Sequence, residues 1–341
     1  MGGFPFPDFV SPDIFNNLYW QAYRGIIRLF DVRQNRGIKN LIYQLEESFQ
    51  KKIDARLEIT AYPQLVDMCA QFLKPIDDYE KEPFLIEPSK AKVIEVELLK
   101  DFAINYFEET GSKVKLKVCV TGPLELYQRK MGFAVYKDMA INLAKSAGEF
   151  VKNSIVNEKY METAVISVDE PSIGLVDFTQ INRDDITDIL NQCFRVFDNM
   201  GNFDSQIHLH SLNAYDIALN IESLDVLTCE YASDQKNTIP RRELEKSDKF
   251  IRVGVSRTNI DSMISEKIDM GHNPRDFETE KGILSIIDSP ERIQKRYKEA
   301  ISLYGDRLKY VGPDCGLKSW NSQRVAFEVL DRTVKTIKSV R

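Results

Sequence analysis

The sequence predicts a single (β/α)8 barrel. Short apolar runs alternate with amphipathic stretches eight times along the chain. The runs are rich in Val, Ile, Leu and Thr, as strands buried on both faces are. A length of 341 residues is ordinary for such a barrel with insertions. A doubly wound open sheet is the alternative that the same alternation permits.

The eight candidate strands are GGFPF (2–6), ARLEITAY (55–62), KLKVCVTG (115–122), TAVISVDE (163–170), SQIHLHS (205–211), DVLTCEYA (225–232), KFIRVGVS (249–256) and RLKYVGPD (307–314). Between them QLVDMCAQFL, KDMAINLAKSAGEFVKNSIV, DDITDILNQCFRVFDNM, AYDIALNIESL and PERIQKRYKEAISLYG place apolar residues at i, i+3 and i+4, one face of a helix. Two regions exceed the minimal repeat. Residues 11–50 read as a helical excursion after the first strand. Residues 258–290, with the polar stretch SEKIDMGHNPRDFETEKG, read as a loop or lid inserted after the seventh strand. No low-complexity linker divides the chain, so residues 1–341 read as one catalytic domain.

Composition narrows the function. An apolar fraction of 43% is enough to fill a large core. A formal charge of -6, from 46 basic and 52 acidic residues, leaves no electrostatic footprint for nucleic acid. No apolar run approaches the ~20 residues that span a bilayer. The start, MGGFPFPDFV, lacks the charged and apolar regions of a secretory signal. Five cysteines, odd in number and with no CxxC pair, fit a reducing compartment better than a disulfide framework. These features lead us to expect a cytoplasmic protein with neither nucleic acid nor membrane as partner. No GxGxxG or P-loop pattern offers a nucleotide site.

In a parallel barrel the chemistry sits at the C-terminal strand ends. Those ends carry Asp169 and Glu170 (VISVDE), His208 and His210 (QIHLH), Glu230 (VLTCE) and Cys315 (YVGPDC). The chain has three histidines, and two of them stand at i and i+2, which on a strand points both rings to one face. Two imidazoles, a carboxylate and a thiolate form a full tetrahedral set for zinc. Each residue also has a plainer reading. The histidines could be hydrogen-bonded in a polar mouth, Glu230 could pair with Arg252, and Cys315 could be a small buried apolar group. Their joint placement at the fifth, sixth and eighth strand ends favours the metal. Cys229 should point to the opposite face from Glu230 and, like Cys69, Cys119 and Cys193, belong to the core.

Several segments together resemble the catalytic half of cobalamin-independent methionine synthase, and more closely its short archaeal-type relatives, from residue 2 to about residue 320. They are GGFPFP at the start, TGPLEL (121–126), SVDEPSI (167–173), HLHSLNAYDI (208–217), TCEYASD (228–234) and GPDCGLKSW (312–320), the last being the most specific. The resemblance implies a zinc-binding (β/α)8 barrel that methylates the thiol of homocysteine. It implies His208, His210, Glu230 and Cys315 as zinc ligands and Asp169 as the partner of the substrate's α-amino group. Gly2 and Gly3 would lie beside the amino-acid backbone, and Tyr62 would be a further substrate-binding position. Glu170 is expected to brace the strand end or support the catalytic residues. This chain departs from the pattern in four places. His210 stands where the family has cysteine, and Gly3 where it has serine. TAYPQ (60–64) replaces an acidic motif. A histidine that resembles a proton donor has no clear match, with Asn259 near its place and His272 as a substitute. The full-length family members use a second barrel to hold a polyglutamated folate. Its absence here favours methylcobalamin, or a corrinoid protein, as methyl donor. Three rivals remain: another zinc-dependent thiol alkyl transfer, zinc hydrolysis, and a non-catalytic paralogue.

Overall fold

In the computed structural model, which describes residues 2–7, 10–198 and 200–340, the chain is an α/β protein built on a seven-stranded, all-parallel sheet. The strands follow one another in chain order: β1 (Thr60–Ala61), β2 (Val114–Thr121), β3 (Met161–Asp169), β4 (Asp204–His208), β5 (Val226–Cys229), β6 (Phe250–Ser256) and β7 (Leu308–Pro313). Seven of the eight candidate runs thus form strands of this sheet. The open doubly wound alternative requires a reversal of strand order, which this order lacks. The first run, 2–6, makes no extended strand. Gly3 forms an isolated parallel bridge with Gln64, next to β1, and its carbonyl accepts from Leu317 N at 2.9 Å, just beyond β7. Both edges of the sheet therefore reach the same residue.

The buried Lys52 ammonium pins this junction. It donates to the carbonyls of Gly2 (3.0 Å), Ala61 (3.0 Å) and Tyr62 (3.3 Å). Lys52 sits on the helix Arg36–Asp54, which with Pro12–Ile27 forms the expected N-terminal helical excursion. Asn35 caps the second helix by accepting from Gly37 N and Ile38 N.

The segment after β6 corrects the sequence reading. It is no loop but mostly helix, Ile260–Asp269 and Glu280–Ile286 joined by a 3-10 turn over Pro274–Glu278. Ile260, Met263, Phe277, Ile283 and Ile286 are buried in a second apolar cluster with Phe15 and Tyr19 of the N-terminal helices and with Phe4, Leu317 and Trp320. These apolar residues are spread thinly among charged ones, which hides the helical period. Two more helices, Ile94–Leu98 and Lys100–Thr110, precede β2 and also escaped the sequence pattern. Among the described residues no helix is long and apolar enough to cross a membrane.

Parallel register sets Thr121, Asp169 and His208 side by side at the C-terminal edge of the sheet. Close backbone approach there depends on Gly254 in β6. A Cβ at this position would lie 1.9 Å from Asp314 Oδ1 and 2.6 Å from Asp314 Cα. Gly254→Ala is therefore expected to lower unfolding stability by about 1–3 kcal/mol through overpacking. Guanidinium unfolding measures this, and an unchanged midpoint would mean that the β6–β7 contact has room to spare.

Candidate functional site

Four side chains converge at the C-terminal ends of β4, β5 and β7. His208 ends β4 and His210 follows two residues on; Glu230 follows β5; Cys315 follows β7. One donor atom from each lies within 4.8 Å of all the others. His210 Nε2 is 3.4 Å and His208 Nε2 3.8 Å from Glu230 Oε1. Cys315 Sγ is 3.6 Å from both imidazole nitrogens. A tetrahedral zinc with ordinary bond lengths separates N from O by about 3.3 Å and N from S by about 3.6 Å. The His210–Glu230 and Cys315 separations come near these values and the His208–Glu230 separation is longer, so the four residues could hold a metal ion. Glu230 Oε1 is buried and accepts no hydrogen bond among the described residues. A cation between these donors would satisfy that oxygen.

Each donor is held by neighbours. Thr228 Oγ1, on the inward face of β5, lies 3.3 Å from His208 Nδ1 and accepts from Leu209 N at 2.9 Å. It orients the His208 ring through the nitrogen that a metal would not use. Asn237 Nδ2 donates to the His210 carbonyl at 2.8 Å, while its Oδ1 accepts from Leu212 N at 2.7 Å. Cys315 N donates to Thr258 Oγ1 at 3.1 Å, and the Thr258 carbonyl accepts from Trp320 Nε1 at 3.0 Å. The buried Asp314 carboxylate accepts from Ala232 N (3.0 Å), Ser233 N (2.8 Å) and Ser233 Oγ (2.7 Å). It thereby ties the turn carrying Cys315 to the turn carrying Glu230. Sequence reading missed Thr228, Thr258, Asn237 and Asp314, because a hydroxyl, an amide or a lone carboxylate in a loop carries no spacing signal.

Burial also sets the protonation of the donors. It depresses both histidines below their ordinary value, so their rings are neutral and have lone pairs to give. It pushes the Glu230 carboxyl up to about 7 and the Cys315 thiol up to about 12. His208 is almost fully enclosed, whereas the His210 side chain is 32% exposed, so the cluster is approached from the His210 side.

The other expected positions divide. Asp169 is buried, and its Oδ1 accepts from Ser167 Oγ at 2.7 Å. The Asp169–His208 strand pairing places it next to the cluster. Gly2 and Gly3 lie where residues 62–64 meet 316–317, one residue beyond Cys315. Glu170 is fully buried and faces away, its carboxylate accepting from Leu124 N and Glu125 N at 2.9 Å each. It thereby caps the helix Pro123–Met131. Tyr62 is enclosed in the core with its hydroxyl donating to the Cys119 carbonyl at 2.7 Å, so it offers a substrate no surface. Asn259 is exposed and caps Ile260–Asp269 through Ser262 N. His272 is exposed, its ring against Phe277. Arg252 does not pair with Glu230; it donates to the carbonyls of Pro313 and Asp314. Cys69, Cys119, Cys193 and Cys229 are buried, as expected.

Three curated proteins named methionine synthase align with the chain. The protein from Sulfurisphaera tokodaii is 24% identical over 275 residues, 77% of this chain and 67% of its own length. That from Sulfolobus acidocaldarius is 24% identical over 70% of this chain and 60% of its own. That from Methanocaldococcus jannaschii is 23% identical over 88% of this chain and 89% of its own. The chain resembles the methionine synthases. No family model matches it. A methyltransferase from Methanosarcina mazei superposes over 99% of this chain and 94% of its own at 10% identity, with a TM-score of 0.49, too loose a match to bear on function.

Metal uptake at pH 7 is expected to release more than one proton. Cys315, pushed up to about 12, must lose its proton to ligate, and Glu230, at about 7, is half protonated. The neutral histidines release none. Affinity should therefore rise at least about tenfold per pH unit near neutrality. Calorimetry in buffers of different ionisation enthalpy counts the protons, and a count of zero would remove Cys315 from the ligand set.

Proposed function

We propose that the chain is a cytoplasmic zinc-dependent methyltransferase that activates the thiol of homocysteine and forms methionine. The observation that carries this reading is the convergence of His208, His210, Glu230 and Cys315 within 4.8 Å, in a chain that resembles methionine synthases. We also read the fold as one closed (β/α)8 barrel domain, with residues 2–6 in the first strand position. Gly3, bridged to Gln64 on one side and bonded to Leu317 on the other, supports that closure.

A bound zinc ion supplies Lewis acidity, bringing a thiol with an ordinary pKa near 8.5 into its thiolate form at neutral pH. The protein contributes the rest by position. His208 and His210 present neutral rings, with His208 fixed by Thr228. Asp169, held by Ser167 beside the cluster, is the carboxylate available to a substrate ammonium group. Gly2 and Gly3 lie beside the Cys315 turn, where we place the amino-acid backbone of the substrate. With the reacting sulfur fixed, transfer from an electrophilic methyl group depends on orientation more than on proton transfer by the protein. That suits a site to which neither Asn259 nor Glu170 offers an acid or base.

His210 sets the electronic character of the site. Two neutral imidazoles, one carboxylate and one thiolate around a divalent cation sum to zero formal charge. A cysteine in place of His210 would make the sum one unit more negative. The neutral set ionises a substrate thiol more readily and leaves the resulting thiolate less nucleophilic. A reactive donor compensates, and we assign that role to a methylated corrinoid, free or carried by a partner protein.

Methionine formation from homocysteine, assayed with methylcobalamin and with methyl-folate, tests the reading. Methylcobalamin is expected to be the better donor. His208→Ala and Cys315→Ala are expected to lose most of the zinc and at least about a hundredfold in rate, on the scale seen when groups that orient reactants are lost. Cys229→Ala is expected to keep both. Faster turnover with the folate would reverse the donor, and full activity in His208→Ala would remove the metal.

A further inference from the structure

The barrel interior below the metal cluster is polar and hollow. A cavity of about 260 Å³ reaches from beneath Cys315 to the N-terminal ends of the strands. Parallel barrels ordinarily fill these layers with branched apolar side chains. Here Ala61, Lys117, Gln206, Arg252 and Gly312 line the space from five strands. Ala61 and Gly312 leave it open, and the other three turn polar groups toward it.

Lys117, Gln206 and Arg252 each bring hydrogen-bond donors to this space. Lys117 Nζ donates to Gln206 Oε1 at 2.6 Å, which fixes the amide with its Nε2 on the other side. That Nε2 is buried and has no hydrogen-bond partner, and Gln206 is 1% exposed. Leaving such a donor unmatched costs about 1–3 kcal/mol. Among the described residues no carboxylate forms an ion pair with Lys117 or Arg252. The two cations also repel each other across the cavity. Arg252 satisfies part of its guanidinium on the Pro313 and Asp314 carbonyls, which do not neutralise it. The rim on the N-terminal face carries Arg56, Lys309 and Lys338, with Glu58 as the acidic member. Asp204 nearby is engaged by Lys309 and Tyr310. Two cations without a close ion-pair partner among the described residues, on which Asp169 and Asp314 act only from further off, and an orphaned amide N–H around one void call for a ligand that is negatively charged and accepts hydrogen bonds only.

We propose that this cavity binds a small oxyanion, a dicarboxylate or inorganic phosphate, through Lys117, Gln206 and Arg252, entering from the face of the barrel opposite the metal cluster. The bound anion neutralises the interior and satisfies Gln206 Nε2. The site is distinct from the thiol and methyl-donor side, because access to it runs past the N-terminal strand ends.

The test uses the full chain, titrated with phosphate or with malonate in exchange for chloride at constant ionic strength. Calorimetry measures affinity and thermal melting measures linked stability. At least one anion is expected to bind one per chain and to raise the melting temperature saturably. The arm that binds identifies a phosphoryl or a carboxylate ligand. Lys117→Met is expected to weaken binding by about tenfold or more, the loss of a charge-assisted hydrogen bond. Without added anion it should be at least as stable as the parent, because a half-buried charge without an ion-pair partner has been removed. Gln206→Leu is expected to weaken binding as well, with the lysine intact. Absence of saturable binding by either anion, or parental affinity in both variants, would overturn the proposal. A stabilisation that both variants retain would be the general salting effect of these anions and would overturn it equally.

Discussion

The Asp314 carboxylate is the contact on which the cluster's geometry rests. Its three hydrogen bonds to Ala232 and Ser233 join two turns that belong to different strands. Cys315 follows it directly, and Glu230 lies two residues before Ala232. Without that link the sulfur and the carboxylate would be carried on independent loops. Gly254 makes the link possible by leaving Asp314 the space a side chain would take. Arg252 steadies the same turn from below through its carbonyls. The donor set is thus preorganised by protein contacts, which is what a tight structural or catalytic zinc site requires.

The same economy of position explains why the sequence was informative about the four clustered donors and silent about their supports. His208 and His210 were legible because a strand alternates faces and histidine is scarce in this chain. Glu230 and Cys315 were legible because they end apolar runs. Thr228 and Thr258 act by a hydroxyl at a particular angle, and a threonine in or after a strand is too common to stand out. Tyr62, Glu170 and Asn259 show what sequence does not reveal. Glu170 lies in a segment that resembles a catalytic family and Tyr62 and Asn259 lie where the chain departs from it, and each is held by the fold: Tyr62 by a carbonyl, Glu170 by two helix amides and Asn259 by a capping bond. Neighbourhood in sequence to a reactive residue does not decide which way a side chain faces.

At the level of the fold, alternating apolar runs reported the parallel sheet well, because strands buried on both faces must be apolar throughout. Residues 2–6 were harder, since their strand position consists of a single bridge at Gly3 held by Lys52. The region after β6 was misread for a composition reason. Of its buried apolar residues, Ile260, Met263 and Phe277 are spaced by charged and polar ones, and Ile283, Ile286 and Ile287 follow only after a 3-10 turn, so no window shows a full helical face. These residues pack against the N-terminal helices, so two insertions far apart in sequence share one core beside the Cys315 turn. The inward lysine, glutamine and arginine of β2, β4 and β6 were invisible for a further reason: a charged residue in a strand reads as solvent-facing unless the curvature of the sheet is known.

We propose that these four side chains hold a metal to which a substrate thiol is added. X-ray absorption at the zinc edge tests it most directly. In the loaded protein a shell of nitrogen and oxygen donors with one sulfur is expected, and a second sulfur when homocysteine is added. An unchanged shell with homocysteine present, or a zinc ion with no sulfur ligand at all, would contradict it.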